Sequence, residues 1–131
     1  MSNSNELRAM IVSKLNDIKT QFGIKGIFYQ LAQDEAMFPH IVFDMDRTIT
    51  LSDDRNRRDI NLIIDVYDRG NNTQKVHNIA DAVEDLFDQA NVPGESNLPT
   101  LFFNARRHLP DEDKLIKHIQ LEFTMQNYER N

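Results

Sequence analysis

The sequence predicts one α+β domain over residues 1–131: two helices packed on one face of a mostly antiparallel β-sheet built from two long hairpins, in the order α-β-ββ-α-ββ. Three observations carry this reading. Two segments repeat apolar residues at helical spacing, one near the start and one past the middle. Two pairs of segments alternate apolar and polar residues, as half-buried strands do. Finally, 131 residues with 40% apolar content supply one core and little room for a second.

The first helix is expected at about residues 4–21, where Leu7, Met10, Ile11, Leu15, Ile18 and Phe22 form a stripe. Asn3 with Glu6 resembles a capping box. Gly23 and Gly26 punctuate the chain before a short strand, IFYQL, and Pro39 ends the next loop. From 41 to 51, Ile41, Phe43, Met45, Ile49 and Leu51 share one face, interrupted by Arg47. A polar stretch, Ser52 to Asp59, reads as a long loop without apolar residues to order it. Then Ile60, Leu62, Ile64 and Val66 alternate again. Folding near Asp54-Arg55 sets Ile49 opposite Ile60, Met45 opposite Ile64 and Phe43 opposite Val66. A slip of two residues keeps the same face, so the pattern determines the face more firmly than the pairs.

A second helix is expected at about 74–90, capped by Asn72 or Thr73, with Val76, Ile79, Ala80, Val83, Leu86, Phe87 and Ala90 on its stripe. The turn-rich NVPGESNLP ends it. Two last strands, about 100–109 and 115–125, flank Pro110-Asp111-Glu112-Asp113. Pairing Leu101 with Phe123, Phe103 with Leu121 and Ala105 with Ile119 matches apolar to apolar. Two helices on one sheet face then give an α+β sandwich.

Composition excludes several function classes. A net charge of −6 argues against tight general binding to DNA or anionic membrane. No run reaches the roughly 20 apolar residues of a spanning helix, and MSNSNELRAM has neither the basic nor the apolar region of a signal peptide. Zero cysteines exclude disulfides, thiolate zinc sites and cysteine nucleophiles, which suits a cytosolic protein.

One motif points elsewhere. IVFDMDRTI reproduces the DxDxT signature of haloacid-dehalogenase-like phosphatases, in which the first Asp attacks phosphorus beside a Mg²⁺ ion. The later Ser or Thr, Lys and acidic pair of that superfamily are missing in order: no Lys lies between Asp46 and Asp65. Parallel strands would also need a crossover of a dozen or more residues, and the chain offers a charged loop. Asp44 and Asp46 therefore read as outward residues of an amphipathic strand. His40, His77, His108 and His118 are scattered and lack metal-ligand spacing. No Gly-rich phosphate loop and no Ser-His-Asp set is found, so no catalytic, metal or cofactor-binding residue is assigned.

Two charged features remain as partner-contact candidates. Arg55, Arg57 and Arg58 form the densest basic cluster, flanked by Asp53, Asp54 and Asp59. Asp81, Glu84, Asp85 and Asp88 make the second helix acidic. Arginine suits an assembly joint because its planar fork grips carboxylates.

The chain as a whole resembles the tail-completion, or tail-terminator, proteins of long-tailed bacteriophages. The resemblance lies in the order of an initial helix, FPHIVFDMD, a charged loop, DINLIIDVYDRG, NTQKVHNIADAVEDLF, LFFNARRHL, a DED turn and IKHIQLEFTMQNY. It implies a virion structural protein without catalytic residues or cofactor, which caps the tail tube as a ring, usually of six copies. The implied partners are other copies of the chain, the tail-tube protein and the head connector or stopper. DNA passes through such a ring without sequence-specific binding. The place is the virion tail or neck, and the host cytoplasm during assembly. Another phage neck or minor capsid component shares these features.

Overall fold

The computed structural model describes residues 3–33, 35–51, 55–92 and 100–130. Its elements are α1 (Asn3–Phe22), β1 (Gly26–Tyr29), β2 (His40–Thr50), β3 (Arg55–Arg69), α2 (Gln74–Phe87), β4 (Phe102–Leu109) and β5 (Ile116–Arg130). The strands form one sheet in the order β1-β2-β3-β5-β4, with only the β1–β2 pair parallel. This is the α+β architecture expected from the sequence.

Along α1, Leu7, Ile11, Leu15 and Ile18 are buried at spacings of three and four, the stripe a helix needs to lie on a sheet. The anticipated cap at Asn3 concerns a side chain outside the described residues. Gly23 ends the helix at φ +67, and the Ile24 N–H reaches back to the Lys19 carbonyl (3.1 Å), a closure that favours glycine. Gly26 has a different reason to lack a side chain. The Phe28 ring folds over it, and a Cβ there would lie 2.6 Å from that ring.

The core joins both helices to one sheet face. Ile41 and Phe43 of β2, Ile60, Leu62, Ile64 and Val66 of β3, and Ile119, Leu121, Phe123 and Met125 of β5 meet Val76, Ile79, Val83 and Phe87 of α2. The start of α2 is closed by Asn72, whose Oδ1 accepts the Gln74 N–H (3.1 Å); Thr73 makes no side-chain cap bond. The helix stops at Phe87, three residues short of the expected 90, and Gln89 turns the chain at φ 66. The proposed breaker NVPGESNLP falls largely outside the described residues.

Register is where the structure departs from the sequence reading. In the first hairpin Phe43 faces Ile64, Met45 faces Leu62 and Arg47 faces Ile60, a shift of two residues that leaves the buried face unchanged. Correspondingly, β3 already begins at Arg55, so residues 55–59 are strand rather than loop. Their polar composition is overridden because β3 is the central strand, paired with β2 on one side and with β5 down to Arg55↔Arg130 on the other. Strand β5 likewise runs to Arg130, five residues beyond the expected end.

The second hairpin holds a β-bulge. Phe103 pairs with Phe123, but Ala105 pairs with Glu122, so Asn104 is the extra residue. The expected Leu101–Phe123, Phe103–Leu121 and Ala105–Ile119 pairs are replaced in two steps: a shift of two sets Phe103 opposite Phe123, and the bulge then sets Arg106 opposite Leu121 and His108 opposite Ile119. One inserted residue moves the basic side chain of Arg106 to the helix side of the sheet. The turn between β4 and β5 is held by two aspartates, Asp111 accepting the Asp113 N–H (3.0 Å) and Asp113 accepting the Leu115 N–H (2.9 Å).

Candidate functional site

The most distinctive region is an arm. Strands β2, β3 and β5 continue past the buried pair Ile60↔Met125, with residues 55–59 of β3 still paired to 126–130 of β5. At ~3.4 Å per residue this adds about 17 Å of sheet, three-stranded as far as Arg57 and two-stranded beyond it. Near its end Leu51 is 74% exposed, a large apolar side chain in water.

The three candidate arginines lie on this arm, as strand residues of β3. Arg57 is paired locally: its Nη2 lies 3.0 Å from Asp59 Oδ2, and its Nε donates to the same oxygen at 3.1 Å. Asp59 Oδ1 is buried without a hydrogen-bond partner among the described residues. Arg55 stands opposite Arg130 and Arg58 opposite Asn127; their side chains lie outside the described residues.

The acidic helix is not an open patch of four carboxylates. Arg106, turned inward by the bulge, puts Nη1 2.7 Å from Asp81 and 3.5 Å from Glu84. Its Nη2 donates to His77 Nδ1 (3.1 Å) and to the His77 carbonyl (3.4 Å). Asp88 accepts the Phe103 N–H at 2.9 Å, tying the helix end to β4. Asp85 alone of the four is exposed with no such bond in the described structure. The fold brings Asp81 and Glu84 together on Arg106.

Asp44 and Asp46 sit in mid-strand on the sheet face away from the helices, both exposed. Asp44 has an evident structural task. Strand β1 covers β2 only from His40 to Phe43, and just beyond that point Asp44 Oδ1 accepts the Met45 N–H (2.9 Å) and Gln30 Nε2 (3.4 Å). The carboxylate thus occupies the first main-chain donor of an uncovered strand edge. A nucleophile of the phosphatase type would stand at the end of a parallel strand, and here the paired neighbour β3 is antiparallel.

Sequence reading missed the outer-face stack because it depends on cross-strand register. His40, Tyr67 and His118 are direct neighbours on β2, β3 and β5, stacked at 4.9 and 4.2 Å between ring centres. His118 Nε2 lies 2.7 Å from Asp65. Burial is the main reason that His40 is held below its ordinary pKa, partly offset by its bond to the Met37 carbonyl. Burial, then the charges of Asp65 and Asp111, push the Tyr67 phenol up. These groups close the sheet end rather than converge on a pocket, and among the described residues no three acidic or histidine side chains are grouped as a metal site would need.

Residues 11–126 match the sequence model of the family described as tail completion protein gp17. The chain belongs to that family. A tail completion protein is a structural component of a phage virion, and the exposed mid-strand positions of Asp44 and Asp46 accord with that assignment. Among solved structures, a chain of a virion of a native gene transfer agent particle has the same fold, with a TM-score of 0.72 over 92% of each chain at 13% sequence identity. A comparison with curated proteins finds no match.

Proposed function

We propose that this tail completion protein caps the tail tube as a ring, six copies being the expected number, and joins the finished tail to the head connector. The observation that carries this reading is the family match across residues 11–126, nearly the whole chain. The physical properties support it. A net charge of −6 suits a channel wall past which DNA must slide without sticking. Several copies of individually weak contacts hold a joint through their multiplicity. The ring acts mechanically, with no catalytic step and no cofactor, and is assembled in the host cytoplasm before it becomes part of the neck. Within it, the arm with Arg55, Arg57 and Arg58 docks on carboxylates of a neighbouring copy or of the tube. Of the helix acids Asp81, Glu84, Asp85 and Asp88, the exposed Asp85 is the readiest acceptor, because Arg106 already engages Asp81 and Glu84.

Electron microscopy of phage lacking this chain tests the reading. The expected result is overlong tails, or finished tails that never join heads. Tails of normal length on filled heads would overturn it.

A further inference from the structure

We propose that copies of this chain join edge to edge, the open edge of β2 in one arm pairing with the open edge of β5 in the next, so that one sheet continues from copy to copy. The proposal rests on the ring reading above and names the surfaces that would build it. The sheet is narrower at its helix-free end than its strand lengths allow. Strand β1 pairs with β2 only as far as Phe43, whereas β2 continues to Thr50. On the other side β4 pairs with β5 only as far as Thr124, whereas β5 continues to Arg130. Among the described residues the arm therefore has two edges that no strand covers, at residues 44–50 and 125–130. Both lie at the same level, since Arg47 faces Ile60 and Ile60 faces Met125.

The direction of the main-chain groups follows from the pairing. Phe43 turns its carbonyl toward β1, accepting the Gln30 N–H at 2.7 Å. In an antiparallel ladder the N–H and C=O of one residue point the same way, and alternate residues point oppositely. Met45, Arg47 and Ile49 therefore direct their main-chain groups away from β3. Met45 already spends its N–H on Asp44 (2.9 Å), which leaves the pairing stretch beginning at its carbonyl and centred on Arg47 and Ile49. By the same alternation Gln126, Tyr128 and Arg130 direct theirs away from β3 on the other edge. Unpaired rows of this kind template another strand.

A second copy is the occupant that fits both edges at once. The edges differ, so joining one to the other is head to tail and can close on a rotation axis. Strands β2 and β5 both run from the helix-covered end toward the arm tip, since each is antiparallel to β3. Copies with all tips at one end of a ring therefore meet with β2 parallel to the neighbour's β5. The contact is made by backbone groups, so it asks little of the side chains along it.

The absence of cysteine makes a direct test possible. Within one chain β3 separates β2 from β5 by about 10 Å, two strand spacings, beyond the ~7 Å Cα reach of a disulfide. Thr48→Cys is combined in turn with Gln126→Cys, Tyr128→Cys and Arg130→Cys, which scans the register, and assembled tails are treated with a mild oxidant. The expected result is a non-reducing ladder of dimers, trimers and higher species from at least one double variant, and none from the single variants. Tails that contain the variant chain but give no ladder would overturn this inference alone. Dimers from Thr48→Cys by itself would overturn it too, by showing β2 paired with β2. Loss of the natural chain from purified tails would instead remove the ring reading, and this inference with it.

Discussion

Arg106 shows how much one residue can depend on its neighbours in the ladder. In the sequence it sits beside Arg107 and His108, three basic residues in a row. Strand alternation divides that run, and the bulge at Asn104 exchanges the two faces, sending Arg106 to α2 and Arg107 to the far face beside Glu122 (3.4 Å). No spacing rule in LFFNARRHL announces a bulge, so this was not legible. Arg106→Ala should lower stability by about 1–2 kcal/mol, the usual worth of charge-assisted hydrogen bonds on a partly exposed group; chemical denaturation will read it. Asp44 was legible as outward-facing, though its bond to the Met45 N–H was not. Asp44→Asn retains an acceptor oxygen, and neither it nor the natural chain should turn over a phosphomonoester with Mg²⁺ above background. His40 gives a pH signature. Burial lowers its folded-state pKa below the unfolded value, so its contribution is complete above about pH 6.5 and is lost as pH falls through the folded pKa. Thermal melts between pH 7.5 and 5 should show a smaller decline for His40→Gln than for the natural chain.

At the scale of elements, periodicity identified both helices and strands β2, β3 and β5, because each buries a regular stripe against one core; the short β1, intermediate in burial throughout, was marked instead by the glycines before it. The ends of elements were less legible. Residues 55–59 carry no apolar alternation and read as loop, yet they are strand because β5 pairs with all of them and β2 with 57–59. The register slip of two has the same origin: either register buries Ile60, Leu62 and Ile64, and only the tighter one brings residues 57–59 beside Thr48–Thr50. The partner-contact candidates change meaning accordingly. Replacing Arg55, Arg57 and Arg58 by Gln avoids setting a second carboxylate beside Asp59, and the variant should still fold, with stability lowered by about 1–2 kcal/mol through loss of the Arg57–Asp59 pair. It should nevertheless be lost from tails, and higher salt should weaken assembly of the natural protein. Quantifying the chain in purified tails by mass spectrometry checks this; normal incorporation would remove the arginines from the joint.

For the whole molecule, the helix-covered half and the arm divide the work. The core half holds the fold through apolar burial on one sheet face, and the arm extends hydrogen-bonding strand beyond what the chain can itself cover. In our proposal, the main-chain donors and acceptors left at both edges of the arm find their strand partners on assembly. That feature could be suspected from strand lengths but not seen without the sheet order, which sequence patterns do not encode. The central claim is that this protein forms the ring at the junction of tail and head. Cryo-electron microscopy of the neck of intact virions tests it most directly. The expected density is a closed ring of this fold between the last tail-tube layer and the head connector, with neighbouring arms side by side. Density for the chain elsewhere in the particle, or single copies not joined around the axis, would contradict it.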